Sequence, residues 1–133
     1  MAEHGVSSKT EESMFVSLRM RPLNTKERNR GEQGSSWKLL PEFNSIAMCQ
    51  NDGSVSKRDT FTYDHVFGPE TKTGEIYDTV VDPIVNSVVQ GIHGTVFAYG
   101  QTSCGKTYTM QGHGSTPGIL QMAVLGIFEK IES

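Results

Sequence analysis

One segment limits the possible folds of this chain more than any other. Gly100, Gln101, Thr102, Ser103, Cys104, Gly105, Lys106 and Thr107 have the spacing G-x-x-x-x-G-K-[ST]. Glycine at both ends lets the backbone wrap so that successive N–H groups point inward. Such a concavity suits a row of phosphates. Lys106 supplies a point charge for β- and γ-phosphates, and the Thr107 hydroxyl is placed to bind Mg²⁺. A helix starting here adds the positive end of its dipole. An ordinary glycine turn that contains Lys-Thr is the alternative, and the flanks argue against it. Thr95 to Tyr99 is a continuous apolar run between Gly94 and Gly100, which reads as a buried parallel strand. Strand, glycine loop and helix in that order imply an α/β fold that binds a nucleoside triphosphate.

The 133 residues suffice for one domain with a core. Hydrophobic residues make up only 35 %, so burial has to be concentrated in a few segments. A net charge of −3 gives no electrostatic reason to expect a nucleic-acid partner. No apolar run approaches membrane-spanning length, so no membrane partner is expected. Cys49 and Cys104 suggest no disulfide framework, because one lies inside the glycine loop. That usage suits a reducing, cytoplasmic setting. Residues 1–12 are polar and lack the apolar stretch of a secretory signal. They are expected to form a disordered extension ahead of one domain at 13–133.

Hydrophobic spacing organises the rest. Met14, Val16, Leu18 and Met20 alternate with Phe15, Ser17 and Arg19, which marks a strand ending at Pro22. Lys26 to Ser36 is charged and contains glycine, so it reads as a solvated loop. Trp37 to Leu40, Ile46 to Cys49 and Thr60 to Tyr63 are short strands of a small antiparallel lobe, with a turn at Asn51-Asp52-Gly53. Gly74 to Ile92 reads as a helix. Ile76, Val80, Ile84, Val88 and Ile92 form one row at spacing four, and Val81, Val85 and Val89 form a second. This wide face should pack on a sheet, with a kink or boundary at Pro83. A second helix starts at the glycine loop and is interrupted by Gln111 to Gly118. Ile119 to Ile131 resumes a helical pattern. His93 and His113 lack further ligands and read as solvated residues, not a metal site.

With these residues in view, the segment from Thr95 to Met110, TVFAYGQTSCGKTYTM, resembles the phosphate loop of kinesins, usually [T][IV]FAYGQT-x-x-GKT-x-TM. Val16 to Asn24 is similar to the first strand of the kinesin motor domain with its R-x-R-P ending. Phe61 to Phe67 resembles the segment before the first helix, and Gly91 to Thr95 the G-[YF]-N-G-T stretch before the strand. The match runs from about Met14 to the C-terminus. Tyr108 and Pro117-Gly118-Ile119 look most similar to the centromere-associated class. Ile92 and His93 depart from the usual aromatic and Asn. Cys104 replaces a commoner Ser, Gly or Ala and reads as an inert small residue.

The resemblance implies a three-layer αβα motor core, incomplete in this chain, and an ATP-hydrolysing parent that moves on microtubules in the cytoplasmic cytoskeleton and carries a coiled coil. It implies that Gly100 to Thr107 hold the phosphates and Mg²⁺ of ATP or ADP. It places Arg19, Arg21 and Pro22 beside adenine and stacks Tyr108 on the base. An aromatic face, a guanidinium and a proline ring can sandwich a purine. Kinesins carry an N-x-x-S-S-R and a D-L-A-G-S-E switch segment after this point, and neither occurs here. The expectation is an N-terminal part of a motor domain, deficient in hydrolysis and marginally stable by itself. A non-enzymatic nucleotide-binding fragment and another phosphate-loop enzyme, such as a small kinase, are the alternatives.

Overall fold

Residues 14–29, 36–50 and 52–132 are described in the computed structural model of the chain. The disordered extension expected at 1–12 lies outside them.

Strand β1 (Ser17–Arg19) pairs in parallel with β5 (His65–Phe67), joining Ser17 to His65 and Arg19 to Phe67. Only three residues of the expected strand from Met14 to Met20 pair, because β5 offers three. Asp64 closes the near end, its Oδ2 accepting the Val16 N–H at 2.7 Å. The small antiparallel lobe is inserted between these two strands. Its order is β2 (Trp37–Leu40), β3 (Ser45–Cys49) and β4 (Val55–Thr62), with a register shift between Ala47 and Cys49. Ile46 and Ala47 are buried in it.

The charged segment expected to be loop from Lys26 to Ser36 starts instead as a short helix, α1 (Thr25–Asn29). Asn24 and Glu27 form a reciprocal cap. Asn24 Oδ1 accepts the Glu27 N–H at 2.9 Å, and Glu27 Oε2 accepts the Asn24 N–H at 2.7 Å. Residues 30–35 of that expected loop lie outside the described ones.

The long helical stretch runs from Thr73 to Val89 in three parts. They are α2 (Thr73–Ile76), a π-helical turn (Tyr77–Val81) and α3 (Asp82–Val89). The expected break at Pro83 is real, and its form follows from proline chemistry. Pro83 has no N–H, and its ring would strike the carbonyl four residues back in an α-helix. The wider turn just before it relieves that clash, with the Asp82 N–H donating to Tyr77 O. The stretch stops at Val89, short of Ile92. Gly91 takes φ +89°, the Gly91 N–H donates to Val88 O at 2.9 Å, and the Ile92 N–H donates to Ser87 O at 3.0 Å. This is the paired-bond cap that ends a helix at glycine.

Helix α4 (Lys106–Gln111) leads through a two-strand turn, β6 (Gly112–His113) and β7 (Thr116–Pro117), into α5 (Ile119–Glu132). The main core joins α2, the π turn and α3 to the start of α5 through Ile76, Tyr77, Val81, Val85 and Ile119. Among the described residues the wide apolar face packs chiefly on α5, and the two-stranded sheet reaches it through Phe67 of β5. One expected strand is absent: Thr95 to Tyr99 has no paired neighbour there, and Phe97 and Tyr99 are 75 % and 95 % exposed. A strand is held by hydrogen bonds to another strand. Without one, this run is extended chain that touches the core through Val96.

Candidate functional site

The glycine loop joins that extended chain to α4. Gly100 has φ +148°, Ser103 φ +65° and Gly105 φ +102°. At Gly100 a Cβ would also lie 2.6 Å from Cys104 Sγ, so both conformation and space require glycine there. The Cys104 N–H donates to Gln101 O at 3.3 Å, which closes the loop on itself. The Lys106 ammonium folds back over it, donating to Gly100 O at 2.7 Å and to Gln101 O at 2.8 Å. Thr102, Ser103, Gly105, Lys106 and Thr107 line an open hollow of about 320 Å³.

A larger hollow of about 510 Å³ lies on the antiparallel lobe, lined by Asp52 and Asp59 among others. Hydrogen bonds from Ser54 hold the Asp52 carboxyl below its usual range. Two carboxylates and no cation repel a polyphosphate, so electrostatics selects the smaller hollow with its lysine.

Arg19, at the end of β1, reaches across to this region. Its Nη1 donates to Thr109 Oγ1 at 2.9 Å and to Thr73 Oγ1 at 3.2 Å, and its Nη2 to Thr71 O at 3.3 Å. Its guanidinium carbon lies over the Tyr108 ring, 5.4 Å from the centroid. Burial lowers the Arg19 pKa, and Tyr108 opposes that shift. Thr109 Oγ1 in turn donates to Gly105 O at 3.1 Å. Arg21 is engaged elsewhere, its two Nη atoms holding the Glu27 carboxylate at 2.6 and 2.7 Å. Its pKa is raised, chiefly by that hydrogen bond. Pro22 is exposed, and its carbonyl accepts from Arg21 Nη1 at 3.0 Å.

The structure thus brings Gly100 to Thr107, Tyr108 and Arg19 together, and holds Arg21 and Pro22 at the start of α1. Sequence reasoning did not assign Thr71, Thr73, Thr109 or Glu27. Glu27 had a local signal, the N-x-x-E cap spacing from Asn24. Thr109 is a fixed position of the GKT-x-TM pattern, though without a role attached, and Thr71 and Thr73 had no signal, because they meet Arg19 only through the fold.

The family model of the kinesin motor domain matches residues 19–133. The chain is 42 % identical over 117 residues to Kinesin-related protein 4 of Dictyostelium discoideum, a match covering 88 % of this chain and 6 % of the relative. It is 40 % identical over 133 residues to Centromere-associated protein E of Homo sapiens, covering 99 % of this chain and 4 % of the relative. The chain therefore spans a small fraction of the length of these curated relatives.

Proposed function

Since this chain belongs to the kinesin motor domain family, we propose that it is the nucleotide-binding part of an ATP-driven microtubule motor. The observation that carries the reading is Lys106. Its ammonium is held at the mouth of a glycine-framed hollow by uncharged acceptors, Gly100 O, Gln101 O and, at 3.9 Å, Cys104 Sγ. A polyphosphate offers charged acceptors in their place, and charge-assisted hydrogen bonds are about twice as strong as neutral ones. Lys106 then holds the β- and γ-phosphates, and the loop N–H groups hold the rest.

Magnesium fits this donor set. Among the described residues no group of three or more His, Cys, Asp or Glu forms a cage for a metal. Thr107 brings one exposed hydroxyl oxygen to the wall of the hollow. A hard ion that keeps its waters and arrives with phosphates needs little more from the protein. When bound, it neutralises charge across the β- and γ-phosphates. Tyr108 serves as the platform for adenine, with Arg21 and Pro22 at the rim. The same reading gives the complete motor a three-layer αβα core, ADP as product, and microtubules of the cytoskeleton as partner.

A thermal-shift titration with Mg·ATP tests the reading. Ligand at about 100 times its dissociation constant should stabilise the chain by roughly 2.7 kcal/mol. In Lys106→Ala that shift should largely vanish. An unchanged shift would show that the nucleotide is held elsewhere.

A further inference from the structure

We infer that Asp52–Gly53 is a site of spontaneous isoaspartate formation, which the closed turn between β3 and β4 holds in check. The reaction needs only water. The Gly53 nitrogen attacks Cγ of Asp52, and a new C–N bond forms. The hydroxyl of the neutral carboxyl group leaves as water, taking the proton of the Gly53 N–H. Water then opens the cyclic imide. Where it breaks the bond from the nitrogen to the main-chain carbonyl carbon of Asp52, the chain continues through Cγ, one methylene longer, and a new α-carboxylate is left beside it. Nothing is oxidised or reduced. Asp52–Gly53 is the one Asp-Gly step in the sequence, and no Asn-Gly step accompanies it. Glycine in second place leaves the attacking nitrogen unhindered. Nothing beyond the chain neighbours lies within 4 Å of a Cβ built on Gly53, so the surroundings do not crowd the ring closure either.

Hydrogen bonds, not neighbours, restrain the pair. The Gly53 N–H donates to Gln50 O at 3.0 Å, so the proton that has to leave is engaged. Asp52 Oδ1 accepts the Ser54 N–H at 2.9 Å, which ties the carboxyl to the far side of Gly53. Hydrogen bonds from the Ser54 hydroxyl and N–H also hold that carboxyl below its usual range, in the ionised form that lacks the leaving hydroxyl. The Gln50 N–H donates to Ser54 O at 2.8 Å, and Cys49 pairs with Val55, so the turn is closed from below. Ring closure therefore waits for the turn to open. The added methylene then spoils the match between Gln50 and Ser54, so a converted chain cannot close the same turn again. Conversion is a one-way record of opening in the antiparallel lobe.

The test incubates the whole chain in native buffer and in concentrated guanidinium chloride at the same pH, and follows the peptide that contains Asp52. Isomerisation leaves its mass unchanged, shifts its elution and creates a carboxylate that an isoaspartyl methyltransferase labels. The imide shows as the loss of one water. Formation should be roughly ten-fold slower in native buffer, equivalent to about 1.4 kcal/mol, the scale of one or two net hydrogen bonds. Ser54→Pro removes the N–H that Asp52 accepts and should raise the native rate toward the denatured one. Asp52→Glu keeps the charge but needs a larger ring, so the label should vanish from this peptide. Equal rates in the two solutions would show that the turn restrains nothing, and an unchanged native rate in folded Ser54→Pro would remove the restraint assigned to Ser54. A denatured chain that gains no label at Asp52, or a label that persists in Asp52→Glu, would show that this is not the site. Each of these results overturns the inference. Should Ser54→Pro not fold, the comparison of native with denatured chain decides alone.

Discussion

The Tyr77 hydroxyl faces Gly126 across the contact between the π turn and α5. A Cβ on Gly126 would fall against Tyr77 Oη and 3.8 Å from Val85 Cγ1. Tyr77 is buried, and its Oη has no hydrogen-bond partner among the described residues. The missing side chain on α5 makes the notch that the tyrosine fills. Lys130 and Asp82 also join α5 to α3, at 3.0 Å, as a part-exposed pair.

Gly126→Ala should destabilise the chain although alanine is the better helix former. The helix gain is about 1 kcal/mol, and overpacking a filled site costs roughly 1–3 kcal/mol. The net expectation is a loss of about 1 kcal/mol in urea unfolding. Tyr77→Phe should be neutral or stabilising by up to about 1 kcal/mol, since it removes an unsatisfied buried group. Combined with Gly126→Ala it should recover part of the loss. A Gly126→Ala chain more stable than the parent would refute the notch.

Stability should fall in alkali through the same residue. Burial, seconded by Asp82, raises the Tyr77 pKa above its ordinary 10.0. The folded state therefore holds the phenolic proton more tightly than the unfolded one. Below about pH 10 both states are protonated and this contribution is fully present. Above that the unfolded chain ionises first and the contribution is lost. Urea midpoints measured from neutral to alkaline pH should drop less in Tyr77→Phe than in the parent; parallel curves would exclude Tyr77 as the cause.

Magnesium should matter to nucleotide binding through Thr107. ATP should stabilise the parent chain more with Mg²⁺ than with a chelator. In Thr107→Ala that difference should shrink by roughly ten-fold in affinity, about 1.4 kcal/mol, while ATP binding without metal stays as it was. Calorimetric titrations with and without chelator give both numbers, and an intact magnesium effect in Thr107→Ala would discard that ligand.

Gly91→Ala should cost about 1 kcal/mol in urea unfolding, because φ +89° is strained for any residue with a Cβ. Nothing lies within 4 Å of the added atom, so the cost is conformational and not steric. A neutral result would mean that the helix simply ends elsewhere in the variant.

Local patterns carried the parts of this fold that depend on local physics. The apolar spacing from Ile119 to Ile131 gave α5, alternation gave β1, and the missing N–H of Pro83 gave the break in the long helix. The stop at Gly91 was also local, but the aliphatic row continuing to Ile92 hid it. Thr95 to Tyr99 shows the opposite case. Its composition records a preference for burial, whereas a strand also needs a neighbour that composition does not reveal. At the site, glycine spacing located the loop and Lys106. The placement of Arg19 could not be read, since Thr73 and Thr109 stand 54 and 90 residues away along the chain. The kinesin resemblance read from Thr95 to Met110 is matched by the family model over residues 19–133.

The widened turn at Tyr77–Val81 lets one helix address two clients. It shifts the phase of everything after it, so Tyr77, Val81 and Val85 meet α5 while Ile84 and Val88 bear on the chain at Gly94. Each residue advances an α-helix by about 100°. Straightening the turn into a regular spiral with every residue kept would swing Val85 away from α5, whereas deleting one residue between Asp78 and Asp82 would remove the bulge and leave Val85 in phase. The irregularity is thus a phase adjuster, and a more perfect helix of the same residues would make a worse protein.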